Sequence, residues 1–170
     1  MSQLIMRNPD ITGVSLPALP EGFSIVTHKG GDEKRWEEII ESAFGMHFDF
    51  DFLINAGDYS PEKVLYLEEN GIKIATTSAV ENPKYKGEGW FRMVGVHGSA
   101  RGKGAGRIIA IAALEALKNR GYKSAVLSTD DARIPAINLY LSIGFEPVYA
   151  EEDHKERWQA VFEEIKKARK

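Results

Sequence analysis

The stretch Arg101-Gly102-Lys103-Gly104-Ala105-Gly106 constrains the fold more than any other part of this chain. It follows a run, Gly89 to Val96, that reads as a strand. It opens a helical run to about Arg120, with Ile108, Ile111, Ala112 and Leu114 among its apolar residues and Gly121 as its stop. Ser124 to Ser128 then reads as a buried strand. Strand, glycine turn, helix and strand form a βαβ unit, so the two strands are expected to be parallel neighbours. Small residues leave the first helical amides approachable; those amides lack intrahelical partners and point outward with the positive end of the helix dipole. Arg101, Lys103 and Arg107 add positive charge, so the turn suits a phosphate-bearing ligand.

Spacing excludes two nucleotide motifs. A dinucleotide fingerprint starting at Gly102 would need glycine at Arg107, and one starting at Gly104 would need it at Ile109. No Gly-Lys-Ser/Thr follows a glycine at P-loop distance. The upstream strands also differ from an opening βαβ. Lys63 to Glu68, Lys73 to Val80 and Gly89 to Val96 read as antiparallel neighbours, with Asn70-Gly71 as a tight hairpin turn.

The remainder completes one domain. Residues 1–22, with Pro9, Pro17, Pro20, Gly13 and Gly22, read as an extended arm, and 23–170 as a single domain. Phe23 to His28 is a short strand. Asp32 is placed as the N-cap of a helix whose stripe is Trp36, Ile39, Ile40, Ala43 and Phe44, closed by Gly45. Phe48, Phe50 and Phe52 alternate like a strand but also suit a short helix, which is favoured. A helix from about Ile134 to Ile143, a strand at Phe145 to Tyr149 and an amphipathic helix carrying Trp158, Val161, Phe162 and Ile165 follow. Asp153 and Glu156 read as a capping pair for that last helix, and its basic end suits the dipole.

Composition narrows the function. The chain has 170 residues, a formal net charge of −3 and no cysteine. It is long enough to bury a core unaided, and a general polyanion or nucleic-acid binder is not expected. Disulfides, thiolate metal ligands and a cysteine nucleophile are excluded. His28, His47, His97 and His154 show no metal spacing, so no metal is expected. No secretory signal or apolar stretch of membrane length is legible, which makes a cytoplasmic location and no membrane partner the expectation.

With Val94-x-Val96 preceding it, Arg101-x-x-Gly104-x-Gly106 resembles a motif of the GNAT superfamily of acetyl-CoA-dependent N-acetyltransferases. A second segment, Asn138-Leu139-Tyr140 followed by Ile143-Gly144-Phe145, resembles another signature of that family, in the same order and setting. The resemblance covers roughly Gly22 to Tyr149. It implies an α/β (α+β) fold: a mixed, mostly antiparallel sheet with a splayed parallel pair and flanking helices. It departs at Gly98, where the family often has proline.

The resemblance also implies a site. Acetyl-CoA would be the cosubstrate, its pyrophosphate held by backbone amides of about Gly102, Lys103, Gly104, Ala105, Gly106 and Arg107, beside Arg101. Its pantetheine arm would pair with the strand edge at Val94, Gly95 and Val96, and an amide near Val94 would polarise the thioester carbonyl. Glycine inside a strand often marks a bulge or a close approach, which places a bulge at Gly95. Tyr140 is the expected acid for the departing thiolate, and Asn138 a cofactor ligand. An ammonium must lose a proton before attack, and Glu88, with Glu81 beside it, is the base suggested by location. His97 caps the turn or touches the cofactor.

Arg92 shares a strand face with Val94, so it lines the cleft or pairs with an acid. Acceptor choice is assigned to residues 45–59, with Asp49, Asp51 and Asp58, to Lys84-Tyr85-Lys86, and to the rim at Thr129-Asp130-Asp131. The expected reaction is direct acetylation of a primary amine of a small molecule. A protein or peptide amine, or a non-catalytic coenzyme A-binding module, are the alternatives. Dimerisation through the arm or last helix is left open.

Overall fold

A computed structural model describes residues 1–170. Seven strands, β1 (Leu4–Asn8), β2 (Phe23–Thr27), β3 (Val64–Glu69), β4 (Ile72–Glu81), β5 (Gly89–Val96), β6 (Ala125–Thr129) and β7 (Glu146–Val148), form one sheet in the order β2-β3-β4-β5-β6-β1-β7. All neighbours are antiparallel except β5 and β6. The helices are α1 (Glu33–Phe44), α2 (Asp51–Ile54), α3 (Ala105–Asn119), α4 (Ile134–Ser142) and α5 (His154–Ala168). The mostly antiparallel sheet with one parallel pair is the expected fold class. No helix is long and apolar enough to cross a membrane.

Strand alternation places helices on both faces. Leu65 and Leu67 of β3 join the larger core with Ile109, Leu114 and Leu117 of α3, while Val64 and Tyr66 point the other way, onto Trp36, Ile39 and Ile40 of α1. At the β3–β4 hairpin both Asn70 and Gly71 have positive φ (51° and 81°), the backbone of a type I′ turn. Gly45 closes α1 in the left-handed region, and its N–H donates to the Glu41 carbonyl at 2.9 Å.

The expected arm over 1–22 needs correction. Leu4, Ile5 and Met6 are not in an arm but in the sheet, with β1 inserted between β6 and β7; Leu4 and Met6 are fully buried. Three successive apolar side chains serve both faces of the sheet, and Pro9 ends the pairing one residue beyond Asn8. Residues 9–22 then run across α3, where the Ile11 N–H reaches the Lys123 carbonyl at 2.9 Å and the Leu16 N–H the Glu115 carboxylate at 2.6 Å.

Two expected caps are also replaced. Asp32 and Asp153 occupy N-cap positions, but neither side chain caps its helix. Asp32 accepts from the Lys29 N–H at 2.9 Å and pairs with Lys73 at 3.3 Å, while Asp153 pairs with Arg157 at 3.3 Å. Ion pairing has taken the carboxylates that an exposed helix end would otherwise use.

The ambiguous phenylalanine run becomes a single helical turn, α2, beginning after Phe50. Phe48 and Phe52 meet edge to face with centroids 5.3 Å apart, while Phe50 turns inward and stacks on His28 at 4.4 Å.

Candidate active site

The site begins where two strands part. β5 and β6 pair only at Gly89–Ala125 and Trp90–Val126. Beyond Trp90 they diverge and leave a wedge between Phe91–Val94 and Leu127–Thr129. On its other edge β5 pairs Arg92 with Ser78 and Gly95 with Thr76, so Met93 and Val94 together oppose Thr77. That is a bulge, and the Thr77 hydroxyl donates to the Arg92 carbonyl at 3.2 Å across the interruption. Met93 holds φ 55°, an uncommon conformation for a bulky residue, with its side chain packed on the α1 core.

The bulge is therefore at Met93–Val94, not at Gly95. A Cβ on Gly95 would stand 3.1 Å from Ile40 Cδ1 and 3.2 Å from Ala43 Cβ, so this glycine admits α1 rather than a ligand.

The turn leading into α3 presents bare backbone. Gly102 and Gly104 have φ 82° and 73°, and a Cβ on either would meet nothing within 4 Å. Their value lies in left-handed backbone, not in close packing. None of the six amides from Gly102 to Arg107 donates to a protein acceptor. Ala105 is buried, and a Cβ on Gly106 would stand in contact with Leu139 and Val96, at 3.4 and 3.6 Å. Arg101 lines the adjoining cavity. Lys103 and Arg107 turn aside: the Lys103 ammonium pairs with Glu69 at 2.8 Å and the Arg107 guanidinium donates to the Ser142 hydroxyl at 3.0 Å. Their backbone amides, more than their charges, face the turn.

Two cavities meet at the parted strands. One, of about 450 Å³, is lined by Val94, Val96, Arg101, Gly106, Leu139 and Tyr140 among others. The second, of about 300 Å³, fills the wedge. Tyr140, Val94 and Arg133 line both and form the boundary between them. Tyr140 is 5% exposed, edge-on to Phe91 and Phe145 with both centroid distances 6.0 Å. Burial pushes its phenol up to about 12, and the opposing pull comes from the positive charge of Arg133. The phenol is thus a neutral donor throughout the physiological range. Arg133 was not expected here; it stacks on Phe44, 4.2 Å from the ring centroid. It precedes Ile134-Pro135 at a helix start and looks in sequence like any solvated arginine.

Phe44, Phe48, Phe52, Trp90 and Met93 form the apolar wall of the wedge, and Gln3, Arg92, Ser128, Thr129 and Asp130 its polar part. Asp130 is the one carboxylate there, and its Oδ1 accepts from the Gln3 amide at 3.2 Å.

Glu88 is the main correction among the site residues. It lines neither cavity and sits at the closed end of the parallel pair, six residues before Val94, roughly 20 Å by strand rise. Its oxygens accept from Arg7 Nε and Nη2 at 2.8 and 3.0 Å and from the Ser124 hydroxyl at 3.1 Å. The Arg7 hydrogen bonds hold its carboxyl below the usual carboxylate range. This is an anion fixed for structure, not a base waiting for a proton.

Glu88→Gln is accordingly expected to leave turnover unchanged. Its folded pKa is depressed, so the pair stabilises the fold above the unfolded carboxyl's titration and ceases to do so as pH falls through the folded value. Loss of about 1 kcal/mol, or about 2–4 °C in Tm, is expected at pH 7. The gap should close in acid, as thermal melts across pH would show.

Other expected residues also lie elsewhere. Glu81 accepts from the Tyr122 hydroxyl at 2.7 Å. The Asn138 side chain lines neither cavity; its Oδ1 accepts from Arg169 at 2.9 Å, because that face of α4 meets the end of α5. His97 caps the turn, its Nδ1 accepting from the Ser99 N–H at 3.1 Å. Of the acids placed near the acceptor, Asp49 pairs with His47 at 2.9 Å, Asp51 is exposed on α2 and Asp58 pairs with Lys63. Asp131 is held by Arg157. Lys84 and Tyr85 line an opening of about 340 Å³ that shares Gln3, Trp90, Arg92 and Ser128 with the wedge.

Comparisons with known proteins agree with this layout. A model of the acetyltransferase (GNAT) family matches residues 33–145, about two thirds of the chain. The chain is similar to the mycothiol acetyltransferase of Thermobispora bispora, 29% identical over 153 residues, covering 82% of this chain and 52% of that protein. It is also similar to that of Thermomonospora curvata, 31% identical over 153 residues, covering 84% and 50%. The chain thus spans about half the length of the curated relatives it matches. Among solved structures, a GCN5-related N-acetyltransferase from Sphaerobacter thermophilus aligns with a TM-score of 0.71 at 27% identity, covering 85% of this chain and 48% of that one.

Proposed function

This chain belongs to the acetyltransferase (GNAT) family, and from that premise we propose that it transfers an acetyl group from acetyl-CoA to a primary amine of a small molecule. The observation that carries this reading is the row of six unpartnered amides, Gly102 to Arg107, at the mouth of a cavity that runs along a bulged strand edge to Tyr140. A diphosphate supplies the acceptors those amides lack, with the α3 dipole aligned toward it. Arg101 adds charge at the same mouth.

Acetyl-CoA supplies a thioester whose carbonyl an amine attacks directly. Val94 is unpaired in the bulge register, and in this reading its N–H donates to the developing oxyanion. Tyr140 lines both cavities, and in this reading its phenol donates to the departing sulfur. In balance, the ammonium first loses a proton to solvent and the C–N bond then forms. The C–S bond breaks, and the thiolate takes the phenolic proton, which the tetrahedral N–H replaces through solvent. With no cysteine in the chain, a thioester on the protein is not available as an intermediate.

The wedge, lined mostly by apolar side chains and holding about 300 Å³ of space, suits a small acceptor better than a polypeptide. Titration calorimetry with acetyl-CoA, followed by assay of free thiol against a panel of primary amines, tests the reading. Saturable binding and amine-dependent thiol release are expected; absence of acetyl-CoA binding would overturn it.

A further inference from the structure

Arg92 is a half-buried charge with no carboxylate beside it. It stands immediately before the bulge and lines the wedge. Its Nη1 lies 3.5 Å from the Ala56 carbonyl, the limit of a hydrogen bond, and its guanidinium carbon 5.4 Å from the centre of the Phe52 ring. No carboxylate pairs with it, whereas Arg7, Arg35 and Arg157 each hold one, at 2.8, 3.1 and 2.6 Å. Burial alone acts on the Arg92 guanidinium, pulling its pKa down. A cation desolvated without a partner is costly, and planar guanidinium donors match a carboxylate in two parallel hydrogen bonds.

The rest of the wedge has the same bias. Arg133 likewise has no carboxylate partner, stacking instead on Phe44, and Asp130 is engaged by Gln3. Arg92 and Val94 are two residues apart across the bulge, at most roughly 7 Å along the chain. An anion at Arg92 and a reacting nitrogen near Val94 and Tyr140 would therefore be only a few bonds apart.

We infer that the acceptor is a primary amine carrying a carboxylate a few bonds from its nitrogen, as an amino acid does, with Arg92 holding the carboxylate. This rests on the acyl-transfer reading above and adds the class of acceptor. The same two arginines disfavour an ammonium beside them and so promote the free amine needed for attack. That gives a physical reason for a wedge in which no free carboxylate waits as base.

The test uses the full chain with acetyl-CoA and matched sets of acceptors. Each standard amino acid is compared with its carboxamide and its decarboxylated amine, and phosphoethanolamine is included as a phosphate-bearing amine. At least one amino acid is expected to exceed its carboxamide in kcat/KM by about thirtyfold, mostly through KM. Arg92→Gln should bring that ratio close to one, with Arg92→Lys restoring part of it. Equal or better turnover of the carboxamides or decarboxylated amines, or preference for phosphoethanolamine, would overturn the inference, as would a ratio unmoved in Arg92→Gln. Should that variant not fold, the wild-type ratios decide alone. Failure of the underlying reading is separately visible: acetyl-CoA would not bind, and no amine of any class would release thiol.

Discussion

Replacing Tyr140 with phenylalanine is expected to lower kcat by about a hundredfold or more, the scale of a positioned proton donor. The dissociation constant for acetyl-CoA should barely change. The ring is held edge-on by Phe91 and Phe145, and phenylalanine keeps both contacts, so only the hydroxyl is removed. Because burial raises the phenol to about 12, the wild-type kcat should show no loss from its deprotonation up to about pH 10. Steady-state kinetics across pH, with calorimetry of the variant, provide the check. Unchanged kcat would remove Tyr140 from the reaction.

Gly104→Glu should act on the other half of the site. Gly104 is the N-cap of α3 in the left-handed region, so any side chain there adds strain of about 1–2 kcal/mol even though its Cβ meets open space. Gly104→Ala carries that strain without charge and serves as the control. Glutamate adds a negative charge where six amides converge and should weaken acetyl-CoA binding by about a hundredfold, against about tenfold or less for alanine. Equal affinity of the two variants would mean that the turn does not receive the diphosphate.

The parts of this architecture written in local chemistry were legible before any coordinates. Asn70-Gly71 signals a tight turn, the glycines from 102 to 106 signal an approachable helix entrance, and Trp36, Ile39 and Ile40 repeat with the period of a buried helix face. Features set by distant partners were not. Glu88 is set apart from a free base by its place outside both cavities and by Arg7, a residue 81 positions away. Met93 adopts its positive φ because β4 and the α1 core hold it there, and no residue preference signals a bulky side chain in that conformation. Arg92 and Arg133 look alike in sequence to solvated arginines, since what marks them is the missing counter-charge. Asn138 sits correctly in its motif, yet α5 claims its amide.

The placement of β1 has a consequence for biosynthesis. Its partners are Leu4 with Thr129 and Ile5 with Val148, so the first strand of this domain is seated between two of its last. On the ribosome β1 stays without its partners until β6 and β7, at the far end of the domain, have emerged, and closing so long a loop is slow. During that interval β1 is an unpaired apolar strand, able to join any exposed sheet edge of matching alternation. Swapping of this strand between nascent copies is therefore the characteristic folding error of such a topology.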